Sequence, residues 1–302
     1  MIDFQIQTTA SDGKFSPRDC IRMAKENSAA SIAITDHDTV GGVDEALAAG
    51  TEFGVEVIPG IEMSCNHGGH GIHILGLGIN HKHPILGELL SELQREREHR
   101  AKAMVEKLQS FGFAVDYDEV RRRAAGVVAR PHIAEAVMEN PVNAEKLAAE
   151  GIKTRKDFFS SYIANSAKAY VHHVPLEVER AISVIHQAGG IAVWSHPTIP
   201  MNDYKLVEET LLAFLRFGLD GIEVVGNFIE DDTEFLQTLA EKYKILKSAG
   251  SDFHDTYIDP EKPEDGAAAI GGYKTYGYST EGIRELILSA IDRRRAAVAE
   301  LQ

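Results

Sequence analysis

Seven side chains that can bind a metal ion sit at or near the ends of short apolar runs: Asp12, His37, Glu62, His73, His196, Asp252 and His254. Carboxylates interleaved with imidazoles suit Zn²⁺, Mn²⁺ or Fe²⁺. Seven such ligands at those ends suggest one polynuclear metal centre.

Taken singly, these residues say less. Asp12-Gly13 is also what an Asx-turn looks like. His73, between Ile72 and Ile74, resembles a satisfied core histidine, and His196, before Pro197, shares that ambiguity. Asp36-His37-Asp38 is stronger, because a carboxylate that accepts the free ring N–H fixes a ligand's tautomer. Glu62 follows Pro59-Gly60 and offers one oxygen to each of two ions. Asp252 and His254 are two apart, which would put both on one strand face. Gln5 and Gln7 have the same spacing on the first strand, where such a centre would use histidines. A neutral amide oxygen is a poorer partner than imidazole for Zn²⁺, though acceptable to Mn²⁺.

Arg130-Pro131-His132 opens a helix, and a helix N-terminus with Arg and His suits an anion. A proline-started helix with surface charges reads the same way. Lys168 and Tyr170 are further candidates for that mouth. His67, His70, His81 and His83 fall in polar loops and are expected to be exposed. His99 lies on a solvated helix, and His172-His173 at a junction.

The elements that must position these groups follow a βαβα rhythm up to about residue 83. DFQIQ, SIAIT, VEVIPGIEMS and GIHILGLGI read as strands. SPRDCIRMAKENS reads as a helix capped by Ser16, with Pro17 at its first position. The rhythm implies a largely parallel sheet or barrel, whose strand ends carry the site. Residues 84–172 break it, and no strand pattern shows there. Leu86, Leu89, Leu90 and Leu93 recur at helical spacing, as do Met104, Val105 and Leu108. QREREHRAKA between them is charged all round and reads as solvated. The whole reads as an all-helical insertion that caps the strand ends. Strand and helix alternate again over 173–302, through IAVWSHP, GIEVVG and ILKSAGSDFH.

Composition narrows the partners. A net charge of −15 argues against long nucleic acid or anionic membrane as partners, while leaving room for a small phosphorylated substrate. Apolar runs stay short of the ~20 residues that span a bilayer. The N-terminus lacks the pattern of a signal peptide, and Cys20 and Cys65 read as reduced cytoplasmic thiols. Oligomeric state is not legible.

The order TTASDG, ITDHD, PGIEMS, IHILG, ARPHIA, AGGIAVWSHP and SAGSDFH closely resembles the PHP (polymerase and histidinol phosphatase) superfamily. Within it, the chain is similar to nucleoside 3′,5′-bisphosphate phosphatases and 5′–3′ exoribonucleases acting on short RNAs. The resemblance implies a distorted (β/α)₇ barrel with two or three divalent ions (Mn, Zn or Fe). Glu62 would bridge; His73 and His196 would share its second ion; Asp12, His37 and His254 would hold a third. Asp252 would join Glu62 on the first ion, where the family has His-x-His and this chain has Gln5-Ile6-Gln7. Arg130 and His132 match the phosphate-binding motif of the insertion.

The implied activity is metal-dependent hydrolysis of phosphate monoesters of small nucleotides. Asp252 would orient the nucleophile and Arg130 would neutralise charge. His196 or His132 would protonate the leaving oxygen. Two alternatives stand beside this: a barrel that binds nucleotide or metal with weakened catalysis, and an exonuclease on short oligonucleotides. The acidic GNFIEDD after the GIEVV strand also departs from what a phosphate site would favour.

Overall fold

β-branched and small apolar residues make the strands, and Ser, Asp and Pro start several of the helices. The computed structural model describes residues 1–124, 128, 130–164, 166–172, 175–257 and 267–300. Ala129 of the ARPHIA motif and His173 lie outside the described residues.

The chain begins with β1 (Ile2–Asp3), α1 (Pro17–Glu26), β2 (Ser31–Ile34), α2 (Val43–Phe53), β3 (Glu56–His67) and β4 (His70–Leu77). Next come α3 (Pro84–Ser110), α4 (Tyr117–Arg123), α5 (Arg130–Met138), a 3₁₀ turn (Pro141–Asn143), α6 (Ala144–Ala149) and α7 (Arg155–Phe158), which continues into a π-helical turn (Phe159–Ile163). The remainder is β5 (Leu176–Glu177), α8 (Val178–Gln187), β6 (Ile191–Trp194), α9 (Tyr204–Arg216), β7 (Gly221–Val225), α10 (Glu230–Tyr243), β8 (Leu246–Ala249) and α11 (Ile283–Glu300). Two compact units result, Met1–Leu90 with Pro175–Gln302 and Ser91–Val174.

In the first unit the sheet runs β1-β2-β3-β4-β6-β7-β8, with β5 beside β3. β2, β6 and β7 are buried at every position, which is why they read as unbroken apolar runs. The first segment pairs regularly over only two residues. Beyond them Thr35 N–H, just past β2, still donates to Ile6 O (2.9 Å), while the other side meets β8 and the chain after it: Phe4 N–H donates to Ala249 O (2.9 Å), Gln7 N–H donates to Phe253 O (2.9 Å), and Ile6 bridges Phe253. Bonding on both sides of the first segment nearly closes the sheet into a distorted barrel.

β4 departs from the parallel pattern. It is antiparallel to both β3 and β6. Gly68 and Gly69, both at positive φ, reverse the chain without the crossover that a parallel pair needs. α4 was also missed in the sequence, because only Val120 of its seven residues is buried and no periodicity shows. Its signal was the cap: Asp116 accepts from the N–H groups of Asp118 and Glu119. α1 is as expected, with Ser16 Oγ accepting from Asp19 N–H (3.1 Å) and Cys20, Ile21 and Ala24 buried.

Asp3 ties the barrel seam. Fully buried, it accepts from Ser251 Oγ (2.6 Å), Ser251 N–H (2.9 Å), Gly271 N–H (2.6 Å) and Gln5 N–H (3.3 Å). Burial outweighs those bonds and pushes its pKa from 3.8 up to about 6. Between those values the native chain holds a proton that the unfolded chain has lost, so this contribution to stability falls as pH rises through the window. Asp3→Asn removes the slope. The stability difference between native and variant, by denaturant titration, should shift on the order of 3 kcal/mol from about pH 4 to about pH 7. A difference that ignores pH sinks this account of Asp3.

Candidate metal centre

The barrel brings the seven candidate ligands and both glutamines to one end of the sheet. Glu62 lies in the middle of β3, beyond the last β2 pairing at Ile34–Pro59. His37 follows β2 and bridges to Glu62. His73 is not at a strand end: it sits in the first half of β4, opposite Ser64. Because β4 is antiparallel, its beginning shares the end of the sheet where β3 continues. His196 follows β6 by two residues, Asp12 lies on the turn after the first segment, and Asp252 and His254 follow β8.

Glu62 is the hub and is fully buried. Its Oε1 lies 2.9 Å from His73 Nδ1 and 3.4 Å from His196 Nε2, and those two nitrogens are 3.1 Å apart. Ligands on bonds of about 2.1 Å around a tetrahedral ion are about 3.4 Å from one another, so this triad has nearly the spacing of a metal site. Glu62 Oε2 lies 3.8 Å from His37 Nδ1, and His37, Glu62 and His73 together also could hold an ion. A further group that could hold one is Asp12, His37 and His254, with Asp12 Oδ1 3.7 Å from His254 Nε2. His37 Nδ1, the atom facing Glu62 Oε2, is buried without a hydrogen-bond partner. An orphaned imidazole nitrogen beside a buried carboxylate is what a cation would satisfy. The residues of these two groups therefore fit divalent ions.

Electrostatics agree with that reading. Burial alone would raise the Glu62 pKa; the His37 and His73 imidazoles and the His196 contact outweigh it and hold it well below the usual carboxylate range. Burial would depress His73 and His254, but Glu62 and Asp252 respectively lift both above an ordinary histidine. Asp252 moves upward, through burial and the neighbouring Glu62 charge.

Two expectations change in detail. Asp252 and His254 do not share a strand face. β8 ends at Ala249, and Asp252 takes a left-handed φ of 53°. A turn brings His254 Nδ1 to 2.7 Å from Asp252 O and 3.8 Å from its Oδ1. Asp36 accepts from Thr8 N–H (2.7 Å), Thr8 Oγ1 and Ser11 Oγ (2.7 Å), so it anchors the loop carrying Asp12. Asp38 and His196 also have positive φ, 51° and 31°. Strained non-glycine backbone gathered around one cluster is typical of functional sites.

The sequence reading passed over Glu223. It is the one carboxylate in the apolar GIEVV run, and that was its signal. Fully buried in β7, its Oε2 accepts from His196 N–H (2.9 Å) and fixes the turn that presents the imidazole. Burial, then Asp252 and Glu62, push its pKa well up. Gly250 makes room here: a Cβ on it would stand 2.6 Å from both Gln5 Cβ and Glu223 Oε1.

Arg130 and His132 belong to the helical unit. Arg130 opens α5, with its guanidinium 5.2 Å over the Phe159 ring and Nη1 donating to Ile163 O (3.3 Å). These are the two ends of the π-helical turn. His132 is part-buried, which lowers its pKa. Lys168 Nζ lies 4.6 Å from the Tyr162 ring centre. Arg100, read as solvated, instead stacks 5.2 Å over Tyr170 and donates to Val171 O (2.8 Å).

A distorted seven-stranded barrel with carboxylates and imidazoles gathered at one end defines a class, and the PHP domain model matches residues 3–155. The chain belongs to the PHP domain family. It is 34% identical to a 5′–3′ exoribonuclease of Haemophilus influenzae, over 83% of this chain and 89% of that protein. It is 32% identical to a 3′,5′-nucleoside bisphosphate phosphatase of Chromobacterium violaceum, over 84% and 87%. A Bifidobacterium adolescentis crystal structure, described as a candidate metal-dependent phosphoesterase, superposes with a TM-score of 0.74 at 27% identity and covers 96% of each chain. Among the described residues no helix is long and apolar enough to cross a membrane.

Proposed function

We propose that this chain is a metal-dependent phosphoesterase that hydrolyses phosphate monoesters of small nucleotides such as 3′,5′-bisphosphonucleotides. The observation that carries the reading is the triad of Glu62 Oε1, His73 Nδ1 and His196 Nε2, mutually 2.9–3.4 Å apart. Glu62, His73 and His196 would hold one divalent ion, and Asp12, His37 and His254 another. Bound Mn²⁺, Zn²⁺ or Fe²⁺ would supply an activated water and neutralise phosphoryl charge.

The chain's own groups do the rest. Asp252, its pKa raised by burial and Glu62, orients the attacking water. Glu223 holds the His196 turn through the backbone, keeping the imidazole on the ligand cluster. His132 is the group assigned to return a proton to the leaving oxygen, since His196 is committed to the ion. Arg130 and His132, in the first turn of α5, are assigned to a substrate phosphate. The acidic balance of the chain suits a small substrate rather than long nucleic acid, and the free Cys20 and Cys65 suit a cytoplasmic enzyme.

With Mn²⁺ added, phosphate is released from adenosine 3′,5′-bisphosphate. A folded, metal-loaded protein that releases none with Mn²⁺, Zn²⁺ or Fe²⁺ sinks the reading. Exonuclease action on short RNA is the second reading, favoured by a comparable likeness to the Haemophilus influenzae protein. Faster cleavage of a labelled dinucleotide than of the bisphosphate decides for it.

A further inference from the structure

The first segment carries Gln5-Ile6-Gln7 where the family resemblance places His-x-His, and both glutamines are fully buried. Gln5 Nε2 donates to Glu62 Oε1 (3.1 Å), and Gln7 Nε2 donates to Glu62 Oε2. Each oxygen of the hub carboxylate thus takes one amide. The orientation follows from chemistry. An ionised carboxylate only accepts, so each amide presents its NH₂.

A cation at this position would face N–H hydrogens rather than lone pairs. Gln5 Oε1 is buried without a hydrogen-bond partner, but to bring it or Gln7 Oε1 onto an ion beside Glu62 the amides would have to turn and give up charge-assisted hydrogen bonds to a buried carboxylate. Imidazoles would meet no such conflict. The residues present do not fit a first ion.

We infer that Gln5 and Gln7 form a metal-free clamp on Glu62. Two amides stand where the first ion's ligands would be. They satisfy the carboxylate from one side and turn Oε1 to His73 and His196, and Oε2 toward His37. The clamp positions a ligand, and the chain keeps a two-ion centre. This rests on the reading of the remaining residues as metal ligands, and its test does not use hydrolysis.

The protein is saturated with Mn²⁺, freed of excess by gel filtration, and its metal is counted by mass spectrometry. The expected count is about two ions per chain for the native protein and about three for the variant Gln5→His with Gln7→His. Any other pair of counts overturns the clamp. A second measurement tests its positioning role. In a competition titration, Gln7→Leu, shown folded by circular dichroism, should weaken one of the ions by about 10–100-fold. Gln5→Leu should do the same. Ions held with native affinity in both leucine variants overturn the positioning role. Absence of phosphatase activity would leave both results standing, so the two ideas fail separately.

Discussion

Glu62→Gln should lower phosphate release from adenosine 3′,5′-bisphosphate by more than about 100-fold, and metal content should fall with it. Loss of a group merely supporting a ligand costs about 10–100-fold, and Glu62 is a ligand candidate itself. The substitution keeps the shape and removes the charge. That charge is what outweighs burial at His73 and holds it near Glu62. It is also the acceptor for Gln5 and Gln7. Without it, a third amide confronts two others and can accept from only one side. The measurement is turnover and metal content on protein whose circular dichroism matches native. A variant that retains both its ions and its turnover removes Glu62 from the centre.

Phe158→Ala should cost about 3–5 kcal/mol of stability. Phe158 is fully buried in the core of the helical unit. Its ring stacks on Tyr162 (5.3 Å) and meets Phe113 edge-on (5.4 Å), and Phe113 in turn meets Tyr162 at 4.8 Å. Truncation opens a cavity between three rings that helices around them cannot fully close. Whole-domain stabilities are only about 5–15 kcal/mol, so this is a large fraction. Denaturant melts read the effect. A loss below about 1 kcal/mol, the ordinary scale for a point substitution, contradicts this core.

Much of the scaffold was legible residue by residue. Ser16 and Pro17 announce α1 because a side-chain oxygen and a residue without an N–H suit a helix start. SIAI, IAVW and GIEVV announce buried strands because both faces are covered. Asp12, His37, Glu62, His73, His196, Asp252 and His254 were legible as candidates because few other roles suit so many imidazoles and carboxylates next to apolar runs. α4 was lost because one buried residue makes no period. Glu223 was lost because one carboxylate in an apolar strand has no local signature of whom it serves.

What the sequence determined by itself is chemistry and rhythm: the residue types for a divalent-ion site, the alternation of strand and helix, the helical interruption, and the glutamines on the first strand. Side-chain type and local periodicity are properties of neighbouring residues, and neighbours are all that a sequence displays. Tertiary structure alone decided the geometry. A Gly-Gly reversal turns β4 over and brings His73 in from the beginning of its strand. A left-handed Asp252 replaces strand spacing with a turn. The two glutamines, equally readable as weak ligands, face Glu62 with their N–H groups. Which end of an amide meets a cluster depends on a carboxylate more than fifty residues away in the chain, and only folding brings the two together.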